Sequence, residues 1–349
     1  MKHFARLHPL TAPVLRRVLN PRGPEPEVLQ PQEVQAVQPP AMLPGMLDRV
    51  TGADEHLPVS YHIAATLQTK VTHAPVLRFT YRNALVRRSG FATAAHQQRF
   101  GQSRDLRELL GPVDSIPRLR YCYNSVIQRY FGHWMSDGMP SAYIDPDRGQ
   151  LWMPHQPGWP HAPEYLNALN LSVVAAPVVQ ADELVVYQDY AQGSHKRARY
   201  AVIRDKIHAL FGGGDATDYV YIRRGLTGER RVITNEDAFC AELRRRNWKI
   251  LDVATASMAD LQRALCRARV VVGIEGSQLN HAQASLKPGS VLVVLIPNDR
   301  FGSTHPERSR AHGTRCGVVV LPGSKATGYH VDTDEVLRTI ELVKTTFPV

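Results

Sequence analysis

The sequence predicts an α/β protein whose C-terminal half is a doubly wound parallel sheet. Runs of Val, Leu and Ile alternate with helical segments from about residue 191 onward, and a strand that is apolar on both sides needs cover on both faces of its sheet. The length of 349 residues favours two domains over one. We predict a basic, Pro-rich segment over residues 1–45, an N-terminal domain over 46–190 and a Rossmann-like C-terminal domain over 191–349.

The first part of the chain carries weaker structural signals than the second. Residues 21–45 are rich in Pro, Glu and Gln, which predicts an extended linker that holds neither a helix nor a strand ladder. Ser103 is a candidate cap for a helix that ends before Gly111. The other predicted elements are strands at 76–81, 84–86, 172–179 and 183–187, and a helix from 130 to Pro140.

The second part of the chain alternates strands and helices with little between them. Each apolar run is short enough for a buried strand, and the helices begin at capping residues such as Ser257. The predicted strands are 219–224, 249–253, 270–274, 291–296 and 317–321, and the predicted helices are 200–211, 235–247, 257–267, 277–286 and 332–345.

The charge favours anionic ligands without choosing among them. The net charge is +10, from scattered arginines rather than from a basic run, so nucleic-acid binding is the weaker alternative. No apolar run is long enough to span a membrane. Residues 1–19 are basic, and we favour a frayed terminus there over an amphipathic helix on anionic lipid. Four cysteines without metal or disulfide spacing indicate reduced thiols in a cytoplasmic protein.

Candidate ligand-binding residues follow two of the predicted parallel strands. Ligands of such sheets bind beyond the carboxyl ends of the strands. Arg223 and Arg224 end one strand and point to opposite faces, so one of them can reach the crevice with a guanidinium fork suited to a diphosphate. Glu275, Gly276, Ser277 and Gln278 follow another strand and lead into a helix, whose free N–H groups would bind an anion. Like charges repel, so Glu275 would then face ribose or sugar hydroxyls rather than the diphosphate.

His133 and Asp137 are a candidate base pair in the N-terminal half. Their spacing places them on one helix face, where the carboxylate can orient the imidazole ring. A purely structural hydrogen bond is the alternative for this pair. The sequence has no Gly-rich dinucleotide fingerprint, no Walker lysine loop, no nucleophile elbow and no metal-binding D-x-D motif, so we predict no metal and no resident cofactor.

Five short motifs occur in a specific order along the chain. They are Gly132-His133-Trp134-x-x-Asp137, Tyr221-Ile222-x-Arg224, Arg231-x-Ile233-x-Asn235-Glu236, Val271-Val272-Gly273-x-x-Gly276-x-x-Leu279 and Pro288-Gly289-Ser290-x-Leu292. In this order and spacing they resemble glycosyltransferase family 61, the capsular-polysaccharide-type transferases and their eukaryotic relatives, over residues 121–297.

The resemblance implies a GT-B architecture, in which two Rossmann-like domains face each other across a cleft. It implies inverting, metal-independent transfer of a sugar from a nucleotide-sugar donor to a glycan hydroxyl. The basic N-terminus separately suggests a lipid-linked acceptor at a membrane face. The resemblance makes His133 or Asp137 the base, and places Arg224, Asn235, Glu236 and the turn from Gly276 in the donor site. Glu275 departs from the family pattern, which usually has His there, so the donor sugar stays open.

Two other classes remain open from the sequence. One is an inactive module that binds a nucleotide or a glycan on the same fold, with Glu275 as the sign of lost activity. The other is a two-domain sugar epimerase or an NAD-linked enzyme, and the missing Gly-rich fingerprint argues against NAD. The sequence does not indicate an oligomeric state.

Overall fold

The computed structural model describes residues 23–53, 57–100, 111–122, 124–214, 217–225 and 229–347. The basic residues 1–19 and the predicted helix at 103–110 lie outside this range. The chain divides into two compact units, one formed by Met1–Glu33 with Ala74–Ala191 and the other by Val34–His73 with Gln192–Val349. The domain boundaries predicted at 45/46 and 190/191 stay predictions.

The described residues form sixteen strands, β1 to β16 in chain order. They are β1 (Glu27–Gln30), β2 (Glu33–Ala36), β3 (Lys70–His73), β4 (Val76–Arg87), β5 (Gly90–Ala92), β6 (Gln97–Arg99), β7 (Asp114–Tyr121), β8 (Gln150–Trp152), β9 (Val178–Gln188), β10 (Tyr219–Arg223), β11 (Lys249–Asp252), β12 (Val270–Ile274), β13 (Val291–Pro297), β14 (Arg315–Leu321), β15 (Gly323–Ser324) and β16 (Gly328–Tyr329).

Helices lie between many of these strands. The α-helices are Val59–Leu67, Ser125–Arg129, Phe131–His133, Met139–Ser141, His161–Ala168, Ser194–Phe211, Glu236–Arg245, Met258–Leu265, Leu279–Ser285, Thr304–His312 and Thr333–Thr346, with a 3₁₀ turn at Leu47–Arg49 and a π-helical turn at Trp134–Gly138. In the described part of the chain, no helix combines the length and the apolar character that crossing a membrane requires.

The second unit contains the predicted parallel sheet. Its strand order is β11-β10-β12-β13-β14, and all four neighbouring pairs are parallel. All residues of β12 and β13 are buried, as the apolar runs predicted. In chain order the strands are arranged 2-1-3-4-5, the order of the flavodoxin-like doubly wound folds. The predicted parallel sheet is therefore confirmed in this unit.

The predicted Pro-rich linker at 21–45 is wrong as a region without strands. β1 pairs with β4 in the first unit, and β2 pairs with β3 in the second. Ala41 extends the parallel sheet, because its N–H donates to the carbonyl of Cys316 at 2.9 Å and its own carbonyl accepts from Val318 at 3.0 Å. Prolines next to edge strands cost no ladder hydrogen bond, which explains why a Pro-rich segment can still pair.

The first unit contains a mixed sheet rather than a wholly parallel one. β7 is parallel to both β8 and β9, with the helices of residues 125–141 and 161–168 in the connections, which forms a Rossmann-like βαβαβ portion. The rest is antiparallel: β9 pairs with β4, and β4 with β1 and β5. The predicted Rossmann-like character of this half therefore applies to three strands only.

The four cysteines are buried thiols, Cys122, Cys240, Cys266 and Cys316. Burial raises the pKa of the Cys266 and Cys316 thiols to about 12. Both therefore stay protonated and unreactive at neutral pH.

Candidate functional site

The second sheet has a topological switch point at β10. From β10 the chain passes to β11 on one side, and β12 then pairs with the other side of β10. Loops that leave neighbouring strands in opposite directions open a crevice at the carboxyl edge of a sheet, where ligands of doubly wound folds bind. Arg224 follows β10 and Glu275 follows β12, so both predicted loops reach this edge.

Arg224, Arg231 and Arg300 converge here and are called the arginine cluster. Arg224 is buried and held from three sides. One terminal nitrogen donates to the carbonyl of Glu275 at 3.3 Å and to Oε1 of Gln278 at 3.1 Å, and the other to the carbonyl of Glu229 at 3.0 Å. Its Nε is buried without a hydrogen-bond partner. Arg224 is therefore fixed in place and still has an unused donor.

Two carboxylates lie among the other cations of the site. Nε of Arg231 lies 3.2 Å from Oε2 of Glu275, and Nε of Arg300 lies 3.9 Å from the same oxygen. Glu229 contacts Arg300 at 3.0 Å, Lys325 at 3.3 Å and Arg231 at 3.6 Å. The site is therefore an electrostatic network in which cations outnumber these two carboxylates.

Burial and like charge act together on the ionisation of Arg224. Burial first, and Arg231 second, lower the pKa of Arg224 to about 10. That pKa still leaves the guanidinium charged at neutral pH. Burial opposes ionisation of Glu229, but Arg300, Lys325 and Arg231 together lower the pKa of its carboxyl. Guanidinium groups held near one another repel, and a bound anion relieves that repulsion.

Gly276 permits the close approach of two guanidinium groups. Its φ is +150°, and a Cβ built there would lie 1.7 Å from Nη1 of Arg224 and 2.9 Å from Nη1 of Arg231. A side chain at this position would therefore strain the backbone and push the arginine side chains aside. Glycine at position 276 thus allows the observed arrangement of the cluster without strain.

The helix after β12 differs from the predicted one, and the anion site predicted at its start stays a prediction. The helix begins at Leu279 rather than at Ser277, and it has only seven residues. The N–H of Gly276 donates to Nε2 of His305 at 3.3 Å, so this amide is already used. Ser277 and Gln278 belong to the preceding turn. The guanidinium groups of Arg224 and Arg231 are the charged donors at this loop.

The predicted contact of Glu275 with ribose or sugar hydroxyls stays a prediction. The carboxylate of Glu275 lies beside Arg231 and Arg300, and its side chain is 17% exposed.

The other predicted donor residues form a separate group on the opposite face of β10. Nε of Arg223 donates to Glu236 at 3.0 Å, and its Nη2 contacts Asp237 at 2.7 Å. The phenol of Tyr221 also donates to Glu236, at 2.7 Å. Arg223 and Arg224 thus point to opposite faces, as their adjacency predicted. Glu236 holds the start of its helix against β10.

Asn235 binds the backbone of Val331 in both directions. Its Nδ2 donates to the Val331 carbonyl at 2.8 Å, and its Oδ1 accepts from the Val331 N–H at 3.1 Å. This pairing joins the loop before the helix Glu236–Arg245 to the segment before the helix Thr333–Thr346. Both polar atoms of the Asn235 side chain are therefore hydrogen-bonded to the Val331 backbone.

Arg300 and His305 were not identified from the sequence as site residues. Arg300 follows β13 just as Arg224 follows β10 and Glu275 follows β12. The same rule about carboxyl ends of parallel strands would have found it. His305 had no such signal, because it reaches the Gly276 amide from the helix Thr304–His312.

In the first unit, His133 and Asp137 contact each other as their spacing predicted. Nδ1 of His133 lies 2.7 Å from Oδ2 of Asp137. His133 directly precedes the π-helical turn Trp134–Gly138, and Asp137 lies within it, in the connection that leaves the carboxyl end of β7. Ser136 approaches the same carboxylate oxygen at 3.4 Å. A hydrogen bond from Nδ1 to a carboxylate assigns the tautomer whose Nε2 is basic.

Among the described residues, no three His, Cys, Asp or Glu side chains group as metal ligands would. The chain is thus an α/β protein with an arginine cluster at the carboxyl edge of the parallel sheet in its second unit and a His–Asp pair in its first. Residues 131–293 match the model of the family described as Glycosyltransferase 61, which confirms the resemblance to glycosyltransferase family 61. The match contains His133, Asp137, Arg224, Arg231, Glu275 and Gly276, and it supports glycosyltransferase activity. No curated protein matches the chain significantly.

Proposed function

We propose that the chain transfers a hexosyl or pentosyl group from a nucleotide-sugar donor to a carbohydrate hydroxyl. The observation that carries this proposal is the arginine cluster at the switch point of the parallel sheet, within and beside the family match. Three guanidinium groups meet where a doubly wound fold binds its ligand. Planar guanidinium forks suit the oxygens of a diphosphate.

The leaving group explains why such a cluster would be catalytic. As the glycosidic bond breaks, negative charge develops on the nucleoside diphosphate, and preorganised cations stabilise it most where water is excluded. We propose that Arg224, Arg231 and Arg300 supply this positive charge in a metal-independent reaction without a resident cofactor. The burial of Arg224 supports a preorganised rather than a solvent-screened charge.

The acceptor hydroxyl must lose a proton as it attacks. We propose His133 and Asp137 as the unit that takes this proton, in a single displacement that inverts the anomeric centre. His133 would accept the proton at Nε2 with Asp137 stabilising the imidazolium, or Asp137 would accept it directly. An ordinary histidine titrates nearer to neutral pH than an ordinary aspartate, which favours the imidazole.

The wider arrangement belongs to the same proposal. We propose a GT-B-like organisation with acceptor binding in the N-terminal domain (46–190) and donor binding in the C-terminal domain (191–349). The acceptor would be a glycan or a lipid-linked glycan, and the reaction would take place in the cytoplasm or at the membrane face. The buried thiols are compatible with a reducing compartment.

Replacing Arg224 by Ala tests the donor site. We expect Arg224→Ala to weaken binding of nucleoside diphosphates by about tenfold to hundredfold, because a lost charge-assisted hydrogen bond costs about 1.5–3 kcal/mol. Isothermal titration calorimetry with UDP, GDP and ADP would measure this. Arg269→Ala is the matched control, because it removes the same charge from an exposed ion pair with Asp218, just before β12. Equal affinity in wild type and Arg224→Ala would remove Arg224 from the site.

Replacing the His–Asp pair tests the base. We expect His133→Gln and Asp137→Asn each to lower kcat by about a hundredfold or more, the usual contribution of a general base. Transfer from a panel of nucleotide sugars, measured from pH 5 to 9, would also show which variant loses the acidic limb of the profile. Near-native turnover in both variants would contradict the assignment. Nucleotide binding without turnover in the wild type would favour the inactive-module alternative.

A further inference from the structure

The carboxylate of Glu275 occupies the cationic site that the donor phosphates would need. It lies 3.2 Å from Nε of Arg231 and 3.9 Å from Nε of Arg300. Oε2 of Glu275 and the Nε atoms of Arg231 and Arg300 are nonetheless buried without a hydrogen bond of good geometry. The attraction is therefore mainly Coulombic and lacks the paired, aligned bonds that make an arginine–carboxylate contact strong. The side chain of Glu275 is held by charge alone.

The backbone of Glu275 is held independently of its side chain. Its carbonyl accepts from Nη1 of Arg231 at 2.8 Å and from Nη1 of Arg224 at 3.3 Å. Its N–H donates to the carbonyl of Leu295 at 2.8 Å. The loop would thus keep its position and its arginines if the carboxylate were displaced or removed.

We propose that Glu275 is a built-in competitor of the donor diphosphate. In the unliganded protein its carboxylate neutralises Arg231 and Arg300, and it gives way when phosphate oxygens with more charge and better geometry arrive. The same competition would speed release of the nucleoside diphosphate product, because the carboxylate returns to the arginines as the product leaves. This inference rests on the proposed donor site.

The proposal predicts that removing an acid tightens anion binding. We expect Glu275→Gln to bind inorganic pyrophosphate about tenfold more tightly than the wild type, a factor that corresponds to about 1.4 kcal/mol. Calorimetric titration of the full chain at fixed salt concentration would measure it. Damage to the site would weaken binding, so a gain in affinity cannot come from misfolding.

Glu242→Gln is the matched control for this experiment. Glu242 also pairs with two arginines, Arg245 and Arg246, but on the outer part of the helix Glu236–Arg245. Glu242→Gln removes the same charge as Glu275→Gln but outside the arginine cluster. Its affinity for pyrophosphate should therefore equal that of the wild type. Glu275→Ala is a second variant, which removes the carboxylate without adding an amide, and it should shift the affinity in the same direction.

The outcomes separate this inference from the proposed function. Tighter pyrophosphate binding in both Glu275 variants, but not in Glu242→Gln, supports the proposal that Glu275 competes with the diphosphate. Equal or weaker binding in folded Glu275 variants, while the wild type binds pyrophosphate, overturns this proposal and leaves the proposed donor site unaffected. No pyrophosphate binding by the folded wild type or by either folded Glu275 variant overturns both.

Discussion

Gly276 is the residue on which the geometry of the arginine cluster depends most directly. Two guanidinium groups approach its Cα so closely that a methyl group would overlap Nη1 of Arg224, and its φ of +150° disfavours any side chain. A change at this position therefore acts on stability and on ligand binding together. The two effects have different origins, since one is backbone strain and the other is displacement of the cations.

We expect Gly276→Ala to lower the free energy of unfolding by about 1–3 kcal/mol, the usual cost of a residue in such a backbone region. We also expect it to weaken nucleoside diphosphate binding, because Arg224 must move. Chemical denaturation and calorimetric titration would measure the two effects. Gly302→Ala is the control, since nothing lies within 4 Å of a Cβ there and its φ is not positive. Unchanged binding in Gly276→Ala would show that the arginines tolerate displacement.

At the scale of single residues, Arg224, Glu275, Gly276 and Gln278 were predictable because they follow parallel strands. Adjacency alone does not separate Arg223 from Arg224, since it shows only that their directions differ. The partner of each depends on which helix covers which face of β10, and that is decided by tertiary packing. The interaction of Glu275 with Arg300 joins residues 25 positions apart, and no local pattern reports such a contact.

At the scale of elements, the apolar strands of the second sheet were predictable because burial on both faces requires a continuous apolar run. The inclusion of residues 34–73 in the second unit was not predictable from the sequence. β2 and β3 are short and half polar, so their composition carries no information about their partners. The π-helical turn at Trp134–Gly138 was predicted only as helix, because its wider hydrogen-bond spacing leaves no clear signature in the sequence.

The contact between the helices Thr304–His312 and Ser194–Phe211 is sensitive to pH. His312 is buried and stacks on Tyr200, with ring centroids 3.9 Å apart. Burial first, then the charges of Arg204 and Arg308, lower the pKa of His312 to about 3. The unfolded chain takes up this proton near its ordinary pKa of about 6.5. The contribution to stability is therefore complete above pH 6.5 and is lost as the pH falls toward 3.

We expect the free energy of unfolding to fall more steeply below pH 6.5 in the wild type than in His312→Phe, which keeps an aromatic ring but cannot be protonated. The difference between the two proteins should change by roughly 2 kcal/mol from pH 6.5 to 4.5, given at most 1.4 kcal/mol per pH unit for one proton. Urea denaturation at several pH values would measure it. Parallel curves would show that His312 is not the titrating group.

At the scale of the whole molecule, the chain passes between its two compact units more than once. The second unit is assembled from Val34–His73 and Gln192–Val349. The family match over residues 131–293 spans the end of the first unit and much of the second. It therefore includes the His133–Asp137 pair and most of the arginine cluster, whereas Arg300 lies beyond it.

The arginine cluster lies in the second unit, so a nucleotide that binds without an acceptor should affect hydrogen exchange in that unit. A saturating nucleoside diphosphate should slow hydrogen exchange at the carboxyl edge of the second sheet, in peptides covering residues 229–234, 274–278 and 298–301. Bound phosphate oxygens would pair with the arginines that bond the Glu229 and Glu275 carbonyls, and this would stiffen both loops.

Hydrogen exchange with mass spectrometry would test this with UDP, GDP and ADP. The corresponding nucleosides are the controls, because they lack the diphosphate and should not protect these loops. Protection confined to the first unit would mean that the donor binds elsewhere, and that the arginine cluster stabilises the fold through Glu229 and Glu275 alone. Protection of all three loops by one nucleotide would also identify its base, because the three diphosphates are alike and only the base differs in its contacts.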